Sequence, residues 1–169
     1  MSDIGEELVV NGDFVMGDLS GWVWNTLEYQ KVVAHEVGPN FLVQLPAPAG
    51  PTEPDESLRQ YFWAGPGTYR LSVDHRATDE NGVPQDVRTL HGGGIGYVDA
   101  NGMPHSVTLL LLSDMQWSTA GRDVTIAEGQ PPVEISLNFM NAKGSTNKQR
   151  QDIVDSPFAL TNISFRRIA

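Results

Sequence analysis

A chain of 169 residues, 40% hydrophobic and 19% charged, can enclose a core of its own and is not a disordered segment. The formal net charge is −10, and basic residues are scattered apart from Arg166 and Arg167, which argues against a nucleic-acid partner or an anionic membrane surface. There is no cysteine, hence no disulfide framework, thiol nucleophile or thiolate metal site.

In chain order, the acidic opening Met1–Glu7 has no apolar core of a signal peptide. The expectation is therefore a cytoplasmic protein, one exported by a non-classical route, or part of a particle released by lysis. Leu8–Val10 reads as a short strand, Asn11-Gly12 as a turn, and Phe14 and Trp22 as core anchors. Strands are predicted over Glu28–Val37 and Phe41–Leu45. Prolines 46, 48, 51 and 54 then force a surface loop over 46–55. Leu58–Trp63 is the next strand, followed by a Gly65-Pro66-Gly67 turn. Tyr69, Leu71, Val73 and Ala77 alternate with Arg70, Ser72, Asp74 and Arg76, a strand with one face on a core. Asn81-Gly82 and Asn101-Gly102 are turns around a strand at Ile95–Val98. The glycine-rich His91–Gly96 is a bulged strand or a flexible loop. Ser106–Leu112 is strand, and its longest apolar run, Leu109–Leu112, is far too short to span a bilayer. Trp117–Ile126 follows. In Val133–Met140 the apolar residues Val133, Ile135, Leu137 and Phe139 again alternate with Glu134, Ser136 and Asn138. Ala142–Gln151 reads as a polar loop and Phe158–Phe165 as the last strand. Many short strands without helical crossovers make an all-β antiparallel sandwich or barrel, with no internal repeat and no domain boundary within 1–169.

Several stretches together resemble one family. Leu8-Val-Val-Asn-Gly-Asp-Phe14 followed by Gly17-Asp-Leu-Ser-Gly-Trp22 resembles the entry motif of the galactose-binding-like carbohydrate-binding modules of families four, nine and twenty-two. Ser57-Leu-Arg-Gln60 with Ala64-Gly-Pro-Gly-Thr-Tyr69-Arg-Leu-Ser-Val resembles their next strand pair. Trp117 before a β run and Phe158–Phe165 resemble their later strands. The likeness covers nearly the whole chain. It implies a jelly-roll β-sandwich of two antiparallel sheets and a non-catalytic module that binds an oligo- or polysaccharide. The same fold also serves as a structural or protein-interaction module, for example in a phage tail, a toxin or a surface assembly. That second reading would bring a homo-oligomer or larger assembly as partner.

Many of these modules hold a structural calcium, with a Glu just after the Asn-Gly-x-Phe motif and an Asp in the closing strand. Val15 and Thr161 stand at those positions. Neither is a carboxylate, so no cofactor is expected unless Asp13, Asp18 or backbone carbonyls supply the oxygens a hard cation needs.

Sugars offer apolar C–H faces ringed by hydroxyls, so their sites pair an aromatic platform with planar polar groups. Tyr61, Phe62 and Trp63 sit together at a strand end, with Tyr61 and Trp63 on one face and Phe62 on the other. Trp63 is the predicted platform, and Trp24 and Tyr29 are further candidates. Gln60, Asp74, Arg76 and Asn138 are the predicted partners of sugar hydroxyls; the bland reading of Asp74 and Arg76 is a solvated ion pair. Trp22 and Trp117 belong to the core. His35, His75, His91 and His105 lack the spacing of a zinc site. His91–Gly96 lacks the remaining residues of a phosphate loop, and Ser145–Lys148 stands without partner motifs. Glu53, Asp55 and Glu56 cluster in the proline-rich region, which does not supply the fixed carboxyl pair of a glycosidase.

Overall fold

The computed structural model describes residues 3–24, 31–34, 41–45, 56–141, 152–154 and 156–169. Tyr29, His35, the predicted loops at 46–55 and 142–151, and with them Glu53, Asp55 and Ser145–Lys148, lie outside the described residues. No described residue is helical.

Among the described residues, ten strands form two five-stranded antiparallel sheets. The front sheet has the order β1 (Val23–Trp24), β4 (Glu56–Ala64), β9 (Val133–Asn141), β6 (Thr89–Val98), β7 (Pro104–Ser113). The back sheet has the order β2 (Lys31–Ala34), β3 (Phe41–Leu45), β10 (Phe158–Arg167), β5 (Gly67–Ala77), β8 (Ser118–Ile126). This is the expected jelly-roll β-sandwich.

Alternation builds the core. On β9, Val133, Ile135, Leu137 and Phe139 are buried, and on β5 so are Tyr69, Leu71 and Val73. They meet Leu58 of β4, Leu109 and Leu111 of β7, and Leu160, Ile163 and Phe165 of β10 in one cluster. Tyr69 stacks on Phe165 with ring centroids 4.8 Å apart. Burying side chains of this size stabilises by about 1.5–3 kcal/mol each before conformational entropy is set against it.

Strand boundaries depart from expectation in instructive places. β3 spans the predicted residues. β6, however, starts at Thr89, so the glycine run lies inside a strand paired on both sides: Gly92, Gly94 and Gly96 face Met140, Asn138 and Ser136 on β9, and Leu110, Thr108 and Ser106 on β7. Two neighbours supply the ladder hydrogen bonds that hold a glycine-rich strand extended. Leu8–Val10 is not a ladder strand. Glu7 bridges to Arg166, and Leu8 N–H donates to the Phe165 carbonyl at 3.1 Å. At Val10 a side chain takes over from a strand. Gln60 Oε1 accepts from Val10 N–H and Gln60 Nε2 donates to the Val10 carbonyl, each at 2.8 Å.

The Asn11-Gly12 turn then drops Phe14 and Trp22 into the core with ring centroids 5.8 Å apart. Glycine is required at position 12. A Cβ there would lie 1.9 Å from the carbonyl oxygen of Ile163, whose N–H donates to Gly12. Trp22 is core as expected. Trp24 is half-buried against the core, and Trp117 is half-buried under the guanidinium of Arg76, 4.5 Å from its ring centroid.

Candidate binding groove

The outer face of the front sheet carries two adjoining cavities. Outward positions on β4 are Arg59, Tyr61 and Trp63; on β9 they are Glu134, Ser136, Asn138 and Met140. Register sets them in rows. Trp63 faces Glu134. Tyr61 faces Ser136, then Gly96, then Ser106; Arg59 faces Asn138, then Gly94, then Thr108. Trp63 and Tyr61 are 64% and 49% exposed, two large rings presented side by side from one strand.

A cavity of about 560 Å³ begins at these rings and is lined by Tyr61, Trp63, Pro104, Pro131, Pro132 and Glu134 among others. A second, of about 370 Å³, is floored by Gly92 to Gly96 and walled by Ser136, Asn138 and Met140 on one side and Val107 and Thr108 on the other. Gly96 and Ser136 line both, so the two form one groove. Such volumes suit small ligands or a short stretch of a polymer.

The electrostatics of the groove are mild. Asp99 Oδ1 accepts from the N–H groups of Asn101 and Met103, and Oδ2 pairs with His105 Nε2 at 2.9 Å. The His105 bond, helped by the two amides, holds the Asp99 carboxyl below the usual carboxylate range. Tyr97, stacked on His105 at 4.8 Å, has its phenol pushed up by burial and by Asp99. Among the described residues, Asp99 and Glu134 are the carboxylates lining the groove. One of them is thus fully committed to holding its own hairpin.

The five predicted site residues do not converge. Trp63 and Asn138 share the groove face. Gln60 lies on the opposite face of β4, 4% exposed, with its amide engaged by Val10. Asp74 and Arg76 share a face, as alternation requires, but it is the outer face of the back sheet. Asp74 accepts from Thr119 Oγ1 at 2.5 Å and from Asn162 Nδ2 at 2.8 Å, and Arg76 is 4% exposed against Trp117. Arg76 is buried, so the two do not make a solvated surface pair.

Tyr61, which the sequence places on the face of Trp63, lines the groove with Ser136, Glu134 and the three glycines, none of them predicted ligand contacts. Alternation carried the signal for all of them. Tyr61 has the parity of Trp63, Ser136 and Glu134 that of Asn138, and Gly92, Gly94 and Gly96 repeat every second residue.

The residues at the calcium positions do not fit that ion. Val15 has no donor and Thr161 is buried with a neutral hydroxyl. Asp13 and Asp18 accept from the N–H groups of Val15 and Ser20 in their own turns. The buried Asn11 Oδ1 lacks a hydrogen-bond partner among the described residues, but one oxygen is not the six to eight that calcium takes. No group of three His, Asp or Glu side chains converges among the described residues.

No protein-family model matches the chain, and no curated protein matches it. Solved structures do. A family 16 carbohydrate-binding module is similar at 19% identity and TM-score 0.60 over 94% of this chain and 98% of that one. A family 61 module solved in complex with β-1,4-galactotriose is similar at 14% identity and TM-score 0.58 over 96% and 99%. The enzymatically active domain of tailspike protein 4 from bacteriophage CBA120 is similar at 14% identity and TM-score 0.60; there 96% of this chain spans 21% of the tailspike chain. At such identities the shared property is architecture: the chain has the jelly-roll β-sandwich fold of the carbohydrate-binding modules.

Proposed function

We propose that this protein binds an oligo- or polysaccharide, without catalysis, in the groove on the outer face of the front sheet. The observation that carries the reading is the pair Trp63 and Tyr61, exposed side by side at the head of a groove lined by Ser136, Asn138 and Thr108. Aromatic faces take the C–H faces of sugar rings, and hydroxyls and amides take their hydroxyl rims. The similar folds of modules from families 16 and 61, the latter solved with a bound galactotriose, support the same ligand class. A glycosidase needs two free carboxyls at a fixed separation across the scissile bond, one protonated as acid and one ionised as nucleophile or base. In the groove both oxygens of Asp99 are taken by hydrogen bonds within its own hairpin, which leaves Glu134 without a free second carboxyl and supports binding without turnover.

Two aromatic contacts and a few wet hydrogen bonds, set against the entropy of association, suggest Kd values between about 1 mM and 1 μM. The test is a glycan array followed by calorimetry on the best ligand with Trp63→Ala and Tyr61→Ala. Each variant should lose roughly ten-fold in affinity or more while melting like the parent, because both rings are exposed. Undiminished binding by the folded double variant would overturn the reading.

A second reading has one observation in its favour, the likeness to part of a phage tailspike. It takes the chain as a component of a larger assembly. Light scattering separates the two: a glycan-silent, large homo-oligomer would replace the first reading by the second.

A further inference from the structure

The glycines of β6 fall into two kinds. Gly93 points inward, where a Cβ would lie 2.5 Å from the ring of Phe139. Gly94 has φ 152°, and a Cβ there would lie 2.1 Å from the Val107 carbonyl oxygen. Packing and backbone conformation require glycine at both. Gly92 and Gly96 differ. A Cβ at Gly92 meets nothing within 4 Å, and one at Gly96 meets only the His105 carbonyl oxygen at 3.7 Å, an ordinary contact. Neither has a positive φ.

Glycine in a strand interior weakens it, because it loses more backbone freedom on folding and has no side chain to pack. A side chain at Gly92 or Gly96 would strengthen a strand that is paired on both sides. The fold therefore gives no reason for glycine at these two positions. What their lack of side chains does is sink the floor of the groove to the level of the β6 backbone.

We propose that Gly92 and Gly96 are specificity determinants that admit an unbranched glycan segment lying lengthwise along β6, against its backbone. This rests on the carbohydrate-binding reading of the same groove. From Gly92 to Gly96 the floor runs about 13 Å, at about 3.3 Å per residue. Its flanking strands, β7 and β9, lie about 9.5 Å apart across it. Thr108 on one wall and Ser136 and Asn138 on the other can bond hydroxyls at both edges of the segment. The groove reaches the aromatic pair at the Gly96 end and passes between Met140 and Leu110, the residues level with Gly92, at the other. A branch pointing at the floor has no room, since the floor is already in contact with the main chain of the ligand.

The experiment uses calorimetry with linear β-1,4-linked xylo-, cello- and galacto-oligosaccharides, as hexasaccharide and disaccharide. The variants are Gly92→Val, Gly96→Val and the smaller Gly92→Ala and Gly96→Ala, each with its melting curve. The alanines place their only new atom in open space at Gly92 and at ordinary contact distance at Gly96, and so retain the fold even if a valine does not. For the hexasaccharide that binds, Gly96→Val should lose about ten-fold or more at both ligand lengths, because it stands beside the aromatic end. Gly92→Val should lose as much for the hexasaccharide and nothing for the disaccharide. The alanines should follow the same pattern more weakly, and melting temperatures should stay level or rise.

If the folded Gly92 and Gly96 variants bind the hexasaccharide like the parent while Trp63→Ala does not, the floor is not a determinant, and the carbohydrate reading stands without it. If Gly92→Val harms both lengths equally, the ligand does not lie along β6. If no linear oligosaccharide binds the parent, this inference fails, and the array decides separately whether the groove takes another sugar.

Discussion

The outer faces of the two sheets differ in what their polar side chains are used for. On the back sheet the side chains bond one another. Arg70 meets Asp123 at 2.6 Å, Asp74 holds Thr119 and Asn162, and the guanidinium of Arg76 lies over the Trp117 ring. On the front sheet the middle of the face is bare backbone at Gly92, Gly94 and Gly96. The large side chains, Trp63 and Tyr61, stand at one end in solvent. A face whose groups satisfy one another gives a ligand little to gain, since each new contact must replace an old one. A hollow face beside exposed rings offers contacts that no side chain of the protein already occupies. Composition would have ranked the faces the other way, because the back sheet has more charge.

The largest expected effect on stability comes from Gln60, which belongs to neither face. Gln60→Ala removes both side-chain hydrogen bonds to the backbone of Val10 at a part-buried site, and loosens the entry segment that carries Phe14 and Trp22. The cost should be about 1–3 kcal/mol, read from urea denaturation. Loss of glycan affinity without loss of stability would instead make Gln60 a ligand contact, and the front-face groove would then not be the site.

A smaller effect is expected from Arg76→Ala. It removes the cation from above the Trp117 ring, worth about 0.5–2 kcal/mol, together with the packing of the arginine stem. The melting temperature should fall and glycan affinity should not change. A fall in affinity with unchanged melting would move the binding site to the back sheet.

These residues also show how far the sequence could be read. Period-2 alternation placed most strands, and it correctly put Asp74 with Arg76 and Trp63 apart from Phe62. It could not say which sheet a strand joins, because pairing between strands distant in the chain leaves no mark on local alternation. Asp74 and Arg76 were therefore grouped with Trp63 although the body of the sandwich separates them. Gln60 shares its parity with Leu58 and Phe62, so its inward face was legible. A glutamine on a core face becomes stable only through the backbone of Val10, 50 residues away in the chain. The glycine run hid β6 because glycine has low strand propensity. The neighbours β7 and β9 override that propensity, and the same weakness is what leaves the groove open.

The smallest effect is expected from calcium, and there a null result is informative. An ion that binds only the folded chain stabilises it by about 2.7 kcal/mol at a hundred times its Kd. In a chain of 169 residues each kcal/mol moves the melting temperature by about 2–4 °C. A calcium site of micromolar affinity would thus shift melting by several degrees or more in millimolar calcium relative to excess chelator. Val15 and Thr161 replace the two carboxylates such a site would use, and the carboxylates of Asp13 and Asp18 are engaged with the amides of their own turns. The melting temperature should therefore be the same in both conditions. A rise with calcium would mean that Asn11 Oδ1, the buried acceptor of the entry turn, joins backbone carbonyls in a rebuilt shell. Asn11→Asp should then strengthen the shift, by adding a charge where the ion sits, and in the absence of a site it should only weaken the turn.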